Sequence, residues 1–125
     1  MRKLSTIQKN HKLNSIFRDG EPGPGSAYHD YTIALDNSAL TGDTPDQEIH
    51  IAFQKGARLN PGARHGVLDV DLLEIVRDRL TAFQAGDFAC RANAIALTHI
   101  EEALMWMNKR VEDRAENGTL GTYKF

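Results

Sequence analysis

The chain has 125 residues, a net charge of −2 and ordinary proportions of apolar (41%) and charged (26%) residues. This suits one soluble domain with a modest core and argues against a protein that coats nucleic acid through a basic surface. A single cysteine, Cys90, excludes an intrachain disulfide and fits a reducing compartment. No apolar run approaches a membrane span, so a cytosolic protein is expected.

In chain order, residues 1–18 are polar and basic, with scattered Leu4, Ile7, Leu13, Ile16 and Phe17; short strands are predicted at 4–7 and 14–17. The stretch DGEPGPGS at 19–26 holds three Gly and two Pro, so it is a turn. It carries Asp19 and Glu21 and lacks a Lys-Ser/Thr ending, so a hairpin connection is favoured over a phosphate loop. Residues 28–35 (YHDYTIAL) alternate as a strand, with Tyr31, Ile33 and Leu35 on one face; 36–46 is loop. Residues 47–54 (QEIHIAFQ) alternate again, with Ile49, Ile51 and Phe53 together, and the two strands are expected to pair antiparallel. A third strand would come from Ile7 or Ile16.

Residues 55–66 (KGARLNPGARHG) contain two Gly-Ala-Arg triplets around Pro61. They place Arg58 and Arg64 on mobile backbone, which suits an anionic ligand because guanidinium offers a planar donor fork. A solvated surface loop is the more ordinary reading. Asp69 or Asp71 is expected to cap the next helix, Asp71 with Glu74 at capping-box spacing. Leu72, Leu73, Ile75, Val76, Leu80 and Phe83 form its buried face. Arg77, Asp78 and Arg79 face solvent, and the helix ends near Gly86.

From Phe88 to Glu116 no Gly or Pro occurs, so one long helix is predicted, with Asp87 as N-cap and Gly118 as stop. At about 1.5 Å per residue it would be roughly 40 Å long, against a radius of gyration of about 14 Å for a compact chain of this size. Asn93, Leu97, Ile100, Leu104, Met107 and Val111 make one narrow stripe, while Met105 and Trp106 fall outside it. Both the length and the stranded Met/Trp pair favour an oligomer over a monomeric core. A connection as short as 85–87 makes the two helices antiparallel neighbours and puts Phe83 near Asn93. The tail at 117–125 is rich in Gly and Thr and ends in aromatics, so it is expected to dock. The fold class is therefore α+β. One domain is laid out as a β-rich part (1–55), an Arg/Gly loop (56–68), a helical hairpin (69–118) and a tail (119–125).

Catalytic and metal signals are weak. The histidines at 11, 29, 50, 65 and 99 show no ligand spacing, so no metal is expected, and His99 reads as a packed interface residue. Cys90 has no evident base and reads as a buried structural cysteine. Arg110 and Arg114 share a helix face at a spacing that is mildly repulsive in isolation. They serve either the helix C-terminus or an anionic partner. Phe83 could stack a base and Asn93 could read its edge, although a Phe at helical spacing is more often core.

The GAR triplet before the first helix, ANAIALTHIEEALMWMNKR at 92–110 and RAENGTLGT at 114–122 together resemble the Thoeris anti-defence protein 1 family of phage proteins. The helical part also looks like the related anti-CBASS protein 2 sponge; the strands fit the Thoeris type better. The resemblance implies a cofactor-free, non-enzymatic sponge in the cytoplasm of the infected bacterial host. Such a protein takes up a cyclic ADP-ribose isomer intact and, at a separate site, cyclic oligonucleotides. It implies a dimer or hexamer built through the helices; the acidic charge balance and the lack of an apolar span point to no DNA or membrane partner. Carried over, Phe83 would stack adenine, Asn93 would contact base or ribose, and Arg58, Arg110 and Arg114 would hold the pyrophosphate. Arg64, Thr119 and Thr122 join on position and chemistry alone. Two alternatives stand beside this: an enzyme degrading such nucleotides, with His99 or His65 as base, and a structural helical oligomer without a nucleotide ligand.

Overall fold

The computed structural model describes residues 2–36, 47–118, 120 and 121. It has an N-terminal antiparallel sheet followed by two helices, an α+β fold. The strands are β1 (Arg2–Lys3), β2 (Ser15–Asp19), β3 (Asp30–Leu35) and β4 (Gln47–Ala52). The helices are α1 (Asp69–Gln84) and α2 (Arg91–Glu116). Two compact units result: residues 1–56 with 62–66, and residues 57–61 with 67–125. No helix among the described residues is long and apolar enough to cross a membrane.

The sheet is a meander in the order β1-β2-β3-β4. The expected antiparallel pairing of the two alternating segments is present, with Ile33 opposite Ile49 and Tyr31 opposite Ile51. Ile16 lies opposite Ile33, so three isoleucines form one cross-strand row. It is Ile16 and not Ile7 that supplies the third strand; Ile7 is fully exposed outside any strand. The predicted strand at 4–7 is replaced by β1 at Arg2–Lys3, with Leu4 N donating to Ile16 O at 2.8 Å. The Gly/Pro-rich stretch after β2 is the expected hairpin connection and contains a short 3-10 turn at Pro24–Ser26. Of the expected loop at 36–46, residues 37–46 lie outside the described residues.

Opposite the isoleucine row, Phe17, Thr32 and His50 stand in register. Thr32 is 1% exposed, the sole buried side chain among the described residues. Its hydroxyl donates to Asp19 Oδ2 at 2.6 Å and lies 2.9 Å from His50 Nδ1. A hydroxyl has one proton, so with Asp19 as acceptor it must accept from a protonated His50 Nδ1. This satisfies the buried hydroxyl, which would otherwise carry a desolvation cost.

The helix starts differ from expectation at both caps. Helix α1 begins at Asp69 with Leu68 in the cap position, so neither Asp69 nor Asp71 is its N-cap: Asp71 is its third residue, and its Oδ2 accepts from the Leu68 backbone N at 2.8 Å. Leucine has no acceptor, so Asp71 supplies the backward half of a capping box without the forward half. Helix α2 begins at Arg91, three residues later than predicted, and Asp87 is not its cap. Cys90 takes that place, with Sγ accepting from Asn93 N at 3.4 Å. It is held there by Gln84 Oε1, which accepts from Cys90 N at 3.0 Å. Cys90 is therefore exposed, not buried as expected. The predicted end of α2 holds: Asn117 caps it and Gly118 follows at φ +70°.

The two helices pack on each other, and Arg77 Nε donates to Glu101 Oε2 at 2.9 Å. That bond first, and then the nearby Glu74 charge, hold the Arg77 guanidinium above its ordinary pKa. The predicted stripe of α2 is half-buried from Asn93 to Met107, whereas Val111 is exposed. On α1, Leu72, Leu73, Leu80 and Phe83 are half-buried, but Ile75 and Val76 are exposed against expectation. One partner helix covers one stripe, and Ile75 and Val76 lie beyond it. Met105 (67%) and Trp106 (70%) also stand open.

Candidate functional site

Four of the six described candidate residues belong to α1 and α2 themselves, and Arg58 belongs to the same unit. They divide between the two ends of the hairpin. Phe83 ends the apolar stripe of α1 and is half-buried. Asn93 is in the first turn of α2, where its backbone N–H is held by Cys90 Sγ and its Nδ2 donates to Phe88 O at 3.5 Å. The Phe83 ring meets the Phe88 ring at 5.9 Å, and the Arg79 guanidinium lies over Phe83 at 5.3 Å from the ring centre. An aromatic pair, a cation and an amide therefore gather where the two helices are joined.

The cationic end is built by the tail. Leu120 N donates to Arg114 O at 3.2 Å, and Leu59 N donates to Gly121 O at 3.0 Å. A methyl group on Gly121 would lie only 3.0 Å from Arg58 Cγ and 2.8 Å from Leu59 Cγ. Leu120 and Gly121 of the tail are held in this way, whereas the aromatic end, on which the expected docking rested, lies outside the described residues. These bonds tie the Arg58 segment to the end of α2 that carries Arg110 and Arg114, one turn apart. Arg58 and Arg110 are exposed and Arg114 is half-buried. Arg110 and Arg114 also have interactions within the chain. Thr119 and Thr122 lie outside the described residues.

Between Asn93 and Arg110 the helix is unbroken. Seventeen residues at about 1.5 Å each separate the two ends by roughly 25 Å. A single small nucleotide does not span that gap along one helix.

Arg64 belongs to the sheet unit and has a different environment. Its Nη2 donates to the carbonyls of His29 (3.1 Å) and Phe53 (2.9 Å), and its Nη1 lies 3.2 Å from Asp30 Oδ1. Its backbone forms a two-way bridge with Lys55, at 2.9 and 2.8 Å. The loop that was expected to be mobile at this arginine is closed there by that bridge. The guanidinium fork clamps two strand-end carbonyls, so Arg64 has a structural role in the sheet unit.

Two residues that the structure brings against Phe83 were not singled out in the sequence. Phe88 was absorbed into a predicted helix interior, and Arg79 read as a solvated charge. The usable signal was the pair of phenylalanines flanking a Gly-Asp turn, with an arginine four residues before the first.

The chain is thus an α+β protein with a basic and an aromatic end on one helical hairpin, preceded by a small sheet. Residues 45–112 match the family described as Acb2/Tad1, hairpin domain, and the chain belongs to that family. The match takes in Arg58, Arg64, Phe83, Asn93 and Arg110, and ends before Arg114. The chain is also 46% identical over 74 residues to Thoeris anti-defense 1 of Bacillus phage SBSphiJ7, across 59% of this chain and 51% of that protein. It thus spans about half the length of the curated relative it matches.

Proposed function

We propose that this chain is a phage anti-defence protein of the Thoeris type, which sequesters a cyclic ADP-ribose isomer or related cyclic nucleotide without cleaving it. Membership of the Acb2/Tad1 hairpin family and the name of the phage relative support the anti-defence role. The observation that carries the ligand class is the composition of the hairpin's ends: Phe83 and Asn93 at one, Arg58, Arg110 and Arg114 at the other. Phe83 stacks the adenine and Asn93 contacts base or ribose, while the arginines hold the pyrophosphate through charge-assisted bonds.

The separation of the ends gives the assembly its purpose. A second chain running antiparallel brings its Arg110 and Arg114 to the Phe83 and Asn93 of the first. One pocket is then closed by two chains, as a dimer or within a hexamer, and more ligand surface leaves water. The open Met105, Trp106, Ile75 and Val76 supply apolar surface for that contact. The protein acts in the cytoplasm of the infected bacterium, where the signal is made.

Titration calorimetry against cyclic ADP-ribose isomers and cyclic di- and trinucleotides tests this. At least one cyclic ADP-ribose isomer should bind with a submicromolar Kd. Heat from none of the panel would leave a structural helical oligomer as the better reading.

A further inference from the structure

Phe88 is 72% exposed, yet it is not an isolated surface ring. It lies between Gln84, where α1 ends, and Arg91, where α2 starts, with its ring 5.9 Å from Phe83 at an interplanar angle of 58°. The surroundings of the pair are polar. Arg79 covers Phe83 at 5.3 Å, and the Asn93 amide is anchored to the Phe88 carbonyl at 3.5 Å. That bond uses one Nδ2 proton and leaves the amide oxygen of Asn93 as an acceptor. A buried apolar partner would leave this amide and guanidinium desolvated and poorly matched. A flat π system with polar edges and a negative charge nearby satisfies all of them at once, and a nucleobase carrying phosphate is that chemistry.

We infer that Phe88 is a second base-contacting residue: its ring and that of Phe83, inclined at 58°, form two walls of an aromatic corner in which a purine lies face-on to one ring and edge-on to the other, and Arg79 supplies positive potential behind Phe83. The inference rests on the nucleotide-binding reading above and adds two residues to it. Arg79 occupies one face of the half-buried Phe83, so the more open Phe88 ring carries a large share of the contact. Phe88 lies outside both helices, so it can be truncated with little effect on their packing.

The test compares wild type, Phe88→Ala and Phe88→Tyr by calorimetry with the tightest cyclic ADP-ribose isomer of the panel, with light scattering for assembly size. Phe88→Ala should weaken binding about 10- to 100-fold, consistent with the loss of one base–aromatic stack. Phe88→Tyr, which keeps the ring, should bind within about threefold of wild type, and all three should have the same mass. Affinity of Phe88→Ala within twofold of wild type would overturn the inference and leave the nucleotide-binding reading intact. A smaller particle for Phe88→Ala would overturn it too, by making Phe88 a contact between chains. A wild type that binds no isomer would overturn both.

Discussion

Arg110→Glu should abolish binding of cyclic ADP-ribose isomers, by at least about 100-fold, and leave the fold and the assembly unchanged. Arg110 is exposed on the last third of α2, so the substitution exchanges a surface interaction within the chain and opens no cavity. Exposed helix positions tolerate such changes within about 0.5 kcal/mol. The ligand sees a larger effect. A hydrogen bond to a charged group contributes roughly 1.5–3 kcal/mol, and the substitution also places a carboxylate against phosphate. About 3 kcal/mol in total corresponds to more than 100-fold in Kd. Arg110→Lys should fall between, because ammonium keeps the charge and loses the planar fork. Calorimetry gives the affinities, and circular dichroism with light scattering gives fold and mass. Unchanged affinity for Arg110→Glu would remove Arg110 from the site.

Gly66→Ala should be the most damaging small substitution in the sheet unit. A Cβ there would lie 2.5 Å from Ala52 O, 2.6 Å from Phe53 C and 2.7 Å from Phe53 O. All three are backbone atoms, so no rotamer change makes room. Either the 64–66 segment or the end of β4 must shift. A shift pulls at the Arg64 clamp on Phe53 O and at the Gly66 N–H donating to Gln54 Oε1 at 3.3 Å. Overpacking of this kind costs about 1–3 kcal/mol, and the coupled loss of hydrogen bonds brings the expected total to about 3 kcal/mol. Urea denaturation followed by circular dichroism measures it. A change below about 0.5 kcal/mol would mean that the backbone yields at this contact with little strain.

These two positions also show what could be read from the residues alone. β3 and β4 were legible because Tyr31, Ile33, Ile49 and Ile51 alternate cleanly and a sheet face demands that period. The α2 stripe was legible for the same reason at helical period, and its half-buried members are the predicted ones as far as Met107. The caps were not. Asp87 has the better capping chemistry, yet Gln84 reaches across the turn to Cys90 N and moves the helix start downstream. The role of Arg64 was hidden because its partners Phe53, Asp30 and His29 are 11 to 35 residues away in sequence. The close approach of Gly66 to β4 is long-range in the same way. The exposure of Phe88 was not legible because an aromatic among helix formers reads as helix interior, and its exposure follows only from where the turn ends. Thr119 and Thr122 lie outside the described residues, so their part in the site stays with the proposal.

The central claim is that the ligand is held and not consumed. The most direct measurement is to mix a cyclic ADP-ribose isomer with excess protein and remove unbound ligand by ultrafiltration. The retained complex is then heat-denatured and the released nucleotide is resolved by chromatography. The ligand should stay with the protein before heating and be recovered intact afterwards. Recovery of linear ADP-ribose or smaller products would contradict sequestration and make the chain an enzyme.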